Sequence, residues 1–223
     1  MIDYTLIRSK RKTVAIHVRD GAVEVRAPLN LPKRDIDSFV ASKETWINGK
    51  LAISREQVER RSSFALDYGS TVTLRGAEHP IAARDGTVAG FDGEVFYTPP
   101  GFNPEQIKST CVEIYRLIAK ALINARLSDY APLMNATPAA VKINGAKSRW
   151  GSCSSKGNLN FSWRLIMADD SVIDYVVVHE LAHLTEMNHS ARFWAVVAGV
   201  LPDYRERRAR LRELQSKLGS EDW

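Results

Sequence analysis

Apolar positions recur along this chain with two periods, about 2 and about 3.6 residues, and the places where the period switches outline its elements. Residues 13–18 and 22–27 alternate apolar and polar around Asp20-Gly21, a pair suited to a tight hairpin turn. Over residues 35–60 the period lengthens, with Ile36, Phe39, Val40, Trp46, Ile47 and Ile53 at helical spacing. Strand-like pieces come next at residues 71–74, 81–83 and 94–97, with Gly76, Gly86, Gly90 and Gly93 as turns. Pro99-Pro100-Gly101 is the clearest break, so the expected division is a β-rich amino-terminal part with a hairpin and one helix, residues 1–101, and a second domain, residues 102–223.

In the second domain Asn103, with Pro104 in the first turn, opens a long amphipathic helix to about Tyr130. Ile107, Cys111, Ile114, Leu117, Ile118, Leu122 and Leu127 are expected to face inward. Residues 140–144, 148–152 and 158–165 read as a small antiparallel sheet, the last two joined by Ser154-Ser155-Lys156-Gly157. Residues 158–165 put Leu159, Phe161, Trp163 and Leu165 on one face, and form either an edge strand that accepts an extended peptide or an ordinary sheet strand. Ser171 and Asp174 have capping-box spacing, and Val172, Ile173, Val176, Val177, Val178, Leu181 and Leu184 make the next helix apolar nearly all round. Such a helix is buried.

It carries His179-Glu180-Leu181-Ala182-His183, an HExxH pattern. At about 100° per residue the two histidines lie some 40° apart and one turn along the axis, so both imidazoles reach one metal ion. Glu180 is badly placed as a ligand but well placed to take a proton from water. Burying these groups without partners would cost several kcal/mol, which a metal removes. Of five histidines, His179, His183 and His189 fall within eleven positions. Glu186 would extend the same stripe too far along the axis to share a tetrahedral ion. His189 reaches the metal if the chain turns back after about Met187, with Asn188 as the left-handed residue that ends the helix. Three imidazoles suit Zn2+ and leave a fourth position for water or substrate. His17 and His79 lack ligand spacing, Arg149 and Arg164 are candidates to steady an anionic transition state, and Cys153 has no base partner.

Composition narrows the setting. The 223 residues are 44% apolar, enough for a substantial core, and Cys111 and Cys153 form neither a disulfide framework nor a cysteine zinc site. No apolar run reaches membrane-spanning length and the start lacks the order of a secretion signal, so a soluble cytoplasmic protein is expected. The charge of +5 is concentrated around Arg205, Arg207, Arg208, Arg210 and Arg212, read either as a solvated helix face or as an aid in approaching nucleic acid, nucleotides or an acidic partner.

Ser148-Arg149-Trp150-Gly151-Ser152-Cys153-Ser154, the strand after it, and Tyr175 to His183 with Asn188-His189-Ser190 and Phe193-Trp194 resemble the YgjP-like metallopeptidase family, which is similar to the SprT and WLM zinc peptidases. The resemblance implies an α+β, zincin-like metallopeptidase core, in which a long helix and a small sheet pack on the HExxH helix. It also implies zinc on His179, His183 and His189, Glu180 as base, and peptide-bond hydrolysis of a peptide or protein substrate. Resemblance to SprT and WLM peptidases raises nucleic acid as a minor partner, and no membrane partner is expected. Two other functions fit the same residues: a metal-dependent phosphohydrolase acting on nucleotides, and a non-catalytic binding module with a residual metal site.

Overall fold

Asp20 and Gly21 form the expected hairpin turn, with φ of 48° and 74° and Arg19 paired to Ala22 across it. The hairpin joins β2 (Ala15–Arg19) to β3 (Ala22–Pro28), and β1 (Thr5–Ser9) runs parallel to β3 on its other side. Two helices, α1 (Lys33–Ser42) and α2 (Glu44–Ser63), stand where one was expected, because the backbone breaks helical geometry at Lys43. The inward stripe survives the break: Ile36, Val40 and Ile47 close over Val23, Val25 and Ala27 of β3. Trp46 and Ile53, which the helical spacing also selected, are about half exposed instead, at 47% and 52%.

This computed structural model describes residues 2–219 and 221–223, and its contacts divide them into two compact units. One holds the chain up to Phe64 with Lys217–Asp222; the other holds Ala65–Ser216 with Trp223. The Pro99-Pro100-Gly101 turn therefore lies inside the second unit. There β4 (Thr71–Leu74), β5 (Ala77–Ala83), β6 (Gly90–Phe91) and β7 (Phe96–Thr98) form a sheet in the order β4-β5-β7-β6. Tyr115 of the next helix ties itself to this sheet, its hydroxyl donating to the Thr73 carbonyl at 2.7 Å.

That helix, α3 (Pro104–Leu133), is opened by a capping box between Asn103 and Gln106. Its buried stripe is Ile107, Cys111, Ile114, Tyr115, Ala119, Ile123 and Leu127, whereas Leu117 is 70% exposed and not inward as expected. Then come β8 (Ala140–Asn144), β9 (Gly151–Cys153) and β10 (Asn158–Ser162), and here the small sheet departs from the antiparallel expectation. The β9–β10 hairpin is antiparallel, but β10 inserts between β9 and β8 and runs parallel to β8. The 158–165 strand is thus central rather than an edge, and it stops at Ser162, where Trp163–Met167 coils into a buried 3-10 turn.

That turn leads into α4 (Asp170–Ala182), whose cap is Asp169 rather than the expected Ser171: the Asp169 carboxylate accepts from the Val172 amide at 3.2 Å. α4 is buried on nearly all sides, with α3, the 3-10 turn and β9 packed against it. Salt bridges fasten its first turns, Arg75 to Asp170 and Arg126 to Asp174 at 2.9 Å. α5 (Ala191–Val200) and α6 (Tyr204–Leu218) complete the chain. Among the described residues no helix is long and apolar enough to cross a membrane.

Candidate metal centre

Regular helix ends at Ala182, one turn earlier than the spacing suggested. His183 caps it, and the amides of Leu184, Thr185 and Glu186 close tight turns onto the carbonyls of Leu181 and Ala182. Asn188 does not adopt the left-handed conformation expected of it. It bends the chain another way, its side-chain oxygen and carbonyl both accepting from the Ser190 amide, and Ser190 then caps α5. His189 sits in this bend and is carried back over α4.

The three imidazoles converge. Their candidate ligand atoms lie within 4.8 Å of one another, and Nε2 of His179 is 3.0 Å from Nε2 of His189. Two nitrogens each about 2.0–2.1 Å from one tetrahedral ion stand about 3.3 Å apart, so the pair needs only a small opening to hold one. His183 Nδ1 lies 3.0 Å from the Glu186 carbonyl; an N–H there donates to the oxygen and leaves Nε2 as a lone pair facing the cluster. Glu186 thus touches the site through its backbone. Phe193, fully buried, forms an apolar floor with its ring 4.5–4.9 Å from all three imidazoles.

Electrostatics favour neutral ligands. Burial, then the neighbouring imidazoles and the charge of Arg208, pulls His179 down to about 3. His189 is lowered by burial, His183 and Arg208. Next to them Glu180 is only 5% exposed and its Oε2 has no hydrogen-bond partner among the described residues. Burial pushes its carboxyl up to about 8. A buried carboxyl without a partner beside three convergent imidazoles fits the donor set and the charge need of a divalent ion.

Glu180 is held by a residue that sequence patterning did not single out. A Cβ on Gly151 would lie 2.5 Å from Glu180 Oε1 and 2.6 Å from its Cγ, so only glycine at the start of β9 lets this side chain lie against the sheet. Also unforeseen is an aromatic shelf: Trp194 stacks on His189 at 5.7 Å and on Tyr204 at 5.2 Å, and the Arg208 guanidinium lies 5.0 Å above the Trp194 ring. Tyr175, one turn before His179, packs against it at 5.7 Å; its i, i+4 spacing was visible in the sequence.

The remaining candidates lie elsewhere. His17 is on β2 opposite Glu24, and His79 on β5 contacts the Glu94 carbonyl and the Phe91 ring. Arg164 is buried, donating to the Gly145 and Trp223 carbonyls; Arg149 is exposed. Burial pushes the Cys111 thiol up to about 12, and raises that of Cys153 together with the charge of Glu180.

A buried HExxH helix, laid between a long helix and a small mixed sheet and succeeded by a turn that returns a third imidazole, defines the class of HExxH metallopeptidases. The chain belongs to the YgjP-like family: the sequence profile of its metallopeptidase domain matches residues 12–214. No curated protein matches the chain. Among solved structures it is similar to the metallopeptidase zymogen abylysin of Pyrococcus abyssi, with 22% identity over 44% of this chain and 97% of that one and a TM-score of 0.39. The metallopeptidase zymogen jannalysin of Methanocaldococcus jannaschii is similar at 20% identity, 43% and 94% coverage, and a TM-score of 0.35.

Proposed function

We propose that this hydrolase is a zinc-dependent peptidase, with His179, His183 and His189 as the metal ligands and Glu180 as general base. The observation that carries the reading is the unpartnered, buried Glu180 carboxyl beside three convergent imidazoles. Held by these three imidazoles, zinc would supply a Lewis acid to polarise the scissile carbonyl and make the attacking water more acidic. Glu180 accepts the proton of that water and returns it to the leaving amine, with its carboxylate form favoured by the dication beside it. Gly151 and the apolar wall of α4 hold the carboxyl in place and exclude bulk solvent from it. Among the described residues β9 pairs with β10 alone, so its outer edge, next to Glu180, offers backbone groups to an extended substrate.

Glu180→Gln tests this. It keeps the size of the side chain and the three imidazoles, so zinc measured by elemental analysis should stay near one per chain. Peptide turnover should fall by at least roughly a hundredfold, the lower end of an acid–base contribution. A fully metallated variant with near wild-type turnover would remove the assignment.

A further inference from the structure

The arginines of α6 divide into two sets by what they touch. Arg207 bonds to Asp203 at 2.9 Å and to the Ser171 carbonyl at 3.0 Å, while Arg210 reaches Asp169 and the Ser171 hydroxyl; this pair fastens the start of α4. Arg205, Arg208 and Arg212 fall at i, i+3 and i+7, one face of the helix, and make no salt bridge among the described residues. Arg208 rests on the Trp194 ring, and Trp194 rests on His189, so the middle of this cationic face adjoins the histidine cluster.

We propose that the Arg205–Arg208–Arg212 face binds the acidic side chains of an extended peptide, so that this enzyme prefers substrates acidic on one side of the bond it cuts. This deepens the peptidase reading and rests on it. Guanidinium forks grip carboxylates through two parallel hydrogen bonds, and stacking on Trp194 fixes the plane of the Arg208 fork in advance. The spacing also fits: four residues along a helix rise about 6 Å. Alternate side chains on one face of an extended strand repeat at about 6.6–6.8 Å, so acids at alternate positions meet Arg208 and Arg212 in turn. These contacts lie away from the reacting atoms and act equally on bound substrate and transition state, so they set KM and leave kcat nearly unchanged.

The test uses full-length, zinc-loaded Glu180→Gln protein and two blocked peptides, one alternating Glu with Ala and the other alternating Gln with Ala, with binding read by calorimetry. The Glu peptide should bind at least tenfold tighter at low salt, and its advantage should shrink as salt rises. Arg208→Gln should remove most of that advantage. Arg60→Gln, which removes the same charge from α2, should leave it intact, with zinc content and circular dichroism unchanged in both. Arg208→Lys, which keeps the charge without the fork, should fall between. Equal affinity for the two peptides, or equal losses from Arg208→Gln and Arg60→Gln, would overturn the proposal. So would ATP binding more tightly than the Glu peptide in an Arg208-dependent way, since the face would then serve phosphate. Failure of the wild-type protein to cut any peptide bears on the peptidase reading alone, because the arginine face is decided by binding.

Discussion

The sheets β1-β3-β2 and β8-β10-β9 have the same topology: in each, the third strand lies between the other two, parallel to the first and antiparallel to the second. Each also has a helix packed against its hairpin-edge strand, α2 on β2 and α4 on β9. Among the described residues, the histidine cluster and the unpartnered carboxyl lie beside the second. β2 begins with Ala15 and carries His17, and its helix offers Ser54, whose hydroxyl accepts from the Gly21 amide at 3.0 Å. β9 begins with Gly151, and its helix sets Glu180 into the gap left by the missing side chain. Ser54 of α2 is buried too, but its hydroxyl has the Gly21 amide as a partner; α4 is enclosed, and its Glu180 carboxyl is desolvated without one. The difference lies in how close the helix comes and whether its buried polar group has a partner. Strand order is shared, and function does not track it.

The comparison breaks most directly at the two edge strands. Gly151→Ala pushes a methyl group into Glu180, and a shift of this proposed base by about 1 Å is worth roughly a hundredfold in rate. Peptide turnover should fall by about that factor with zinc retained, whereas Ala15→Gly should leave turnover unchanged. Wild-type turnover in Gly151→Ala would show that the contact positions nothing. A smaller effect is expected from the histidines. His189→Ala should weaken zinc binding by at least about tenfold, and His17→Ala should not change it. Titration against a chelator of known affinity would show this, and equal losses would dissolve the contrast between the two regions.

Legibility in the sequence depended on the range of the interaction. HExxH placed His179, Glu180 and His183 because a helix sets their geometry within five residues, and the nearness of His189 made it the third candidate before its bend was known. The hairpin at Asp20-Gly21 and the capped start of α3 were readable for the same reason. Long-range relations were not. That β10 is central and β9 is the edge depends on a pairing with β8 across the intervening loop. Gly151 looks like any glycine in a short strand until α4 is laid against it, and Arg208 like any surface arginine until Trp194 lies beneath it. The break at Lys43 carries neither proline nor glycine to announce it. Asp169 and Ser171 both suit a helix start, and the hydrogen bond to Val172 decides between them.

The smallest expected effect concerns acid stability, and it compares one carboxylate from each unit. Asp170 is lowered first by its hydrogen bonds to Arg75 and further by the charges of Arg75 and Arg126. Asp37 is lowered first by its hydrogen bond to Lys33 and then by that to Tyr4. A folded-state pKa below the unfolded value of about 3.9 means that the carboxylate form adds stability above that pH, and that this contribution fades as pH falls through the lower, folded-state value. Asp170→Asn should therefore be less stable than wild type by the same amount from pH 7 down to about pH 5, and the gap should narrow below about pH 4. Asp37→Asn should show the same sign with a smaller gap, because its partners form an exposed pair while Asp170 shares a network that includes Arg126, itself bound to Asp174. Urea unfolding read by tryptophan fluorescence suits Asp170, since Trp150, Trp163, Trp194 and Trp223 all lie in its unit and Trp46 in the other. A gap that widens in acid would contradict the lowered pKa. A gap of equal size for both variants would mean that the network adds nothing to the pair.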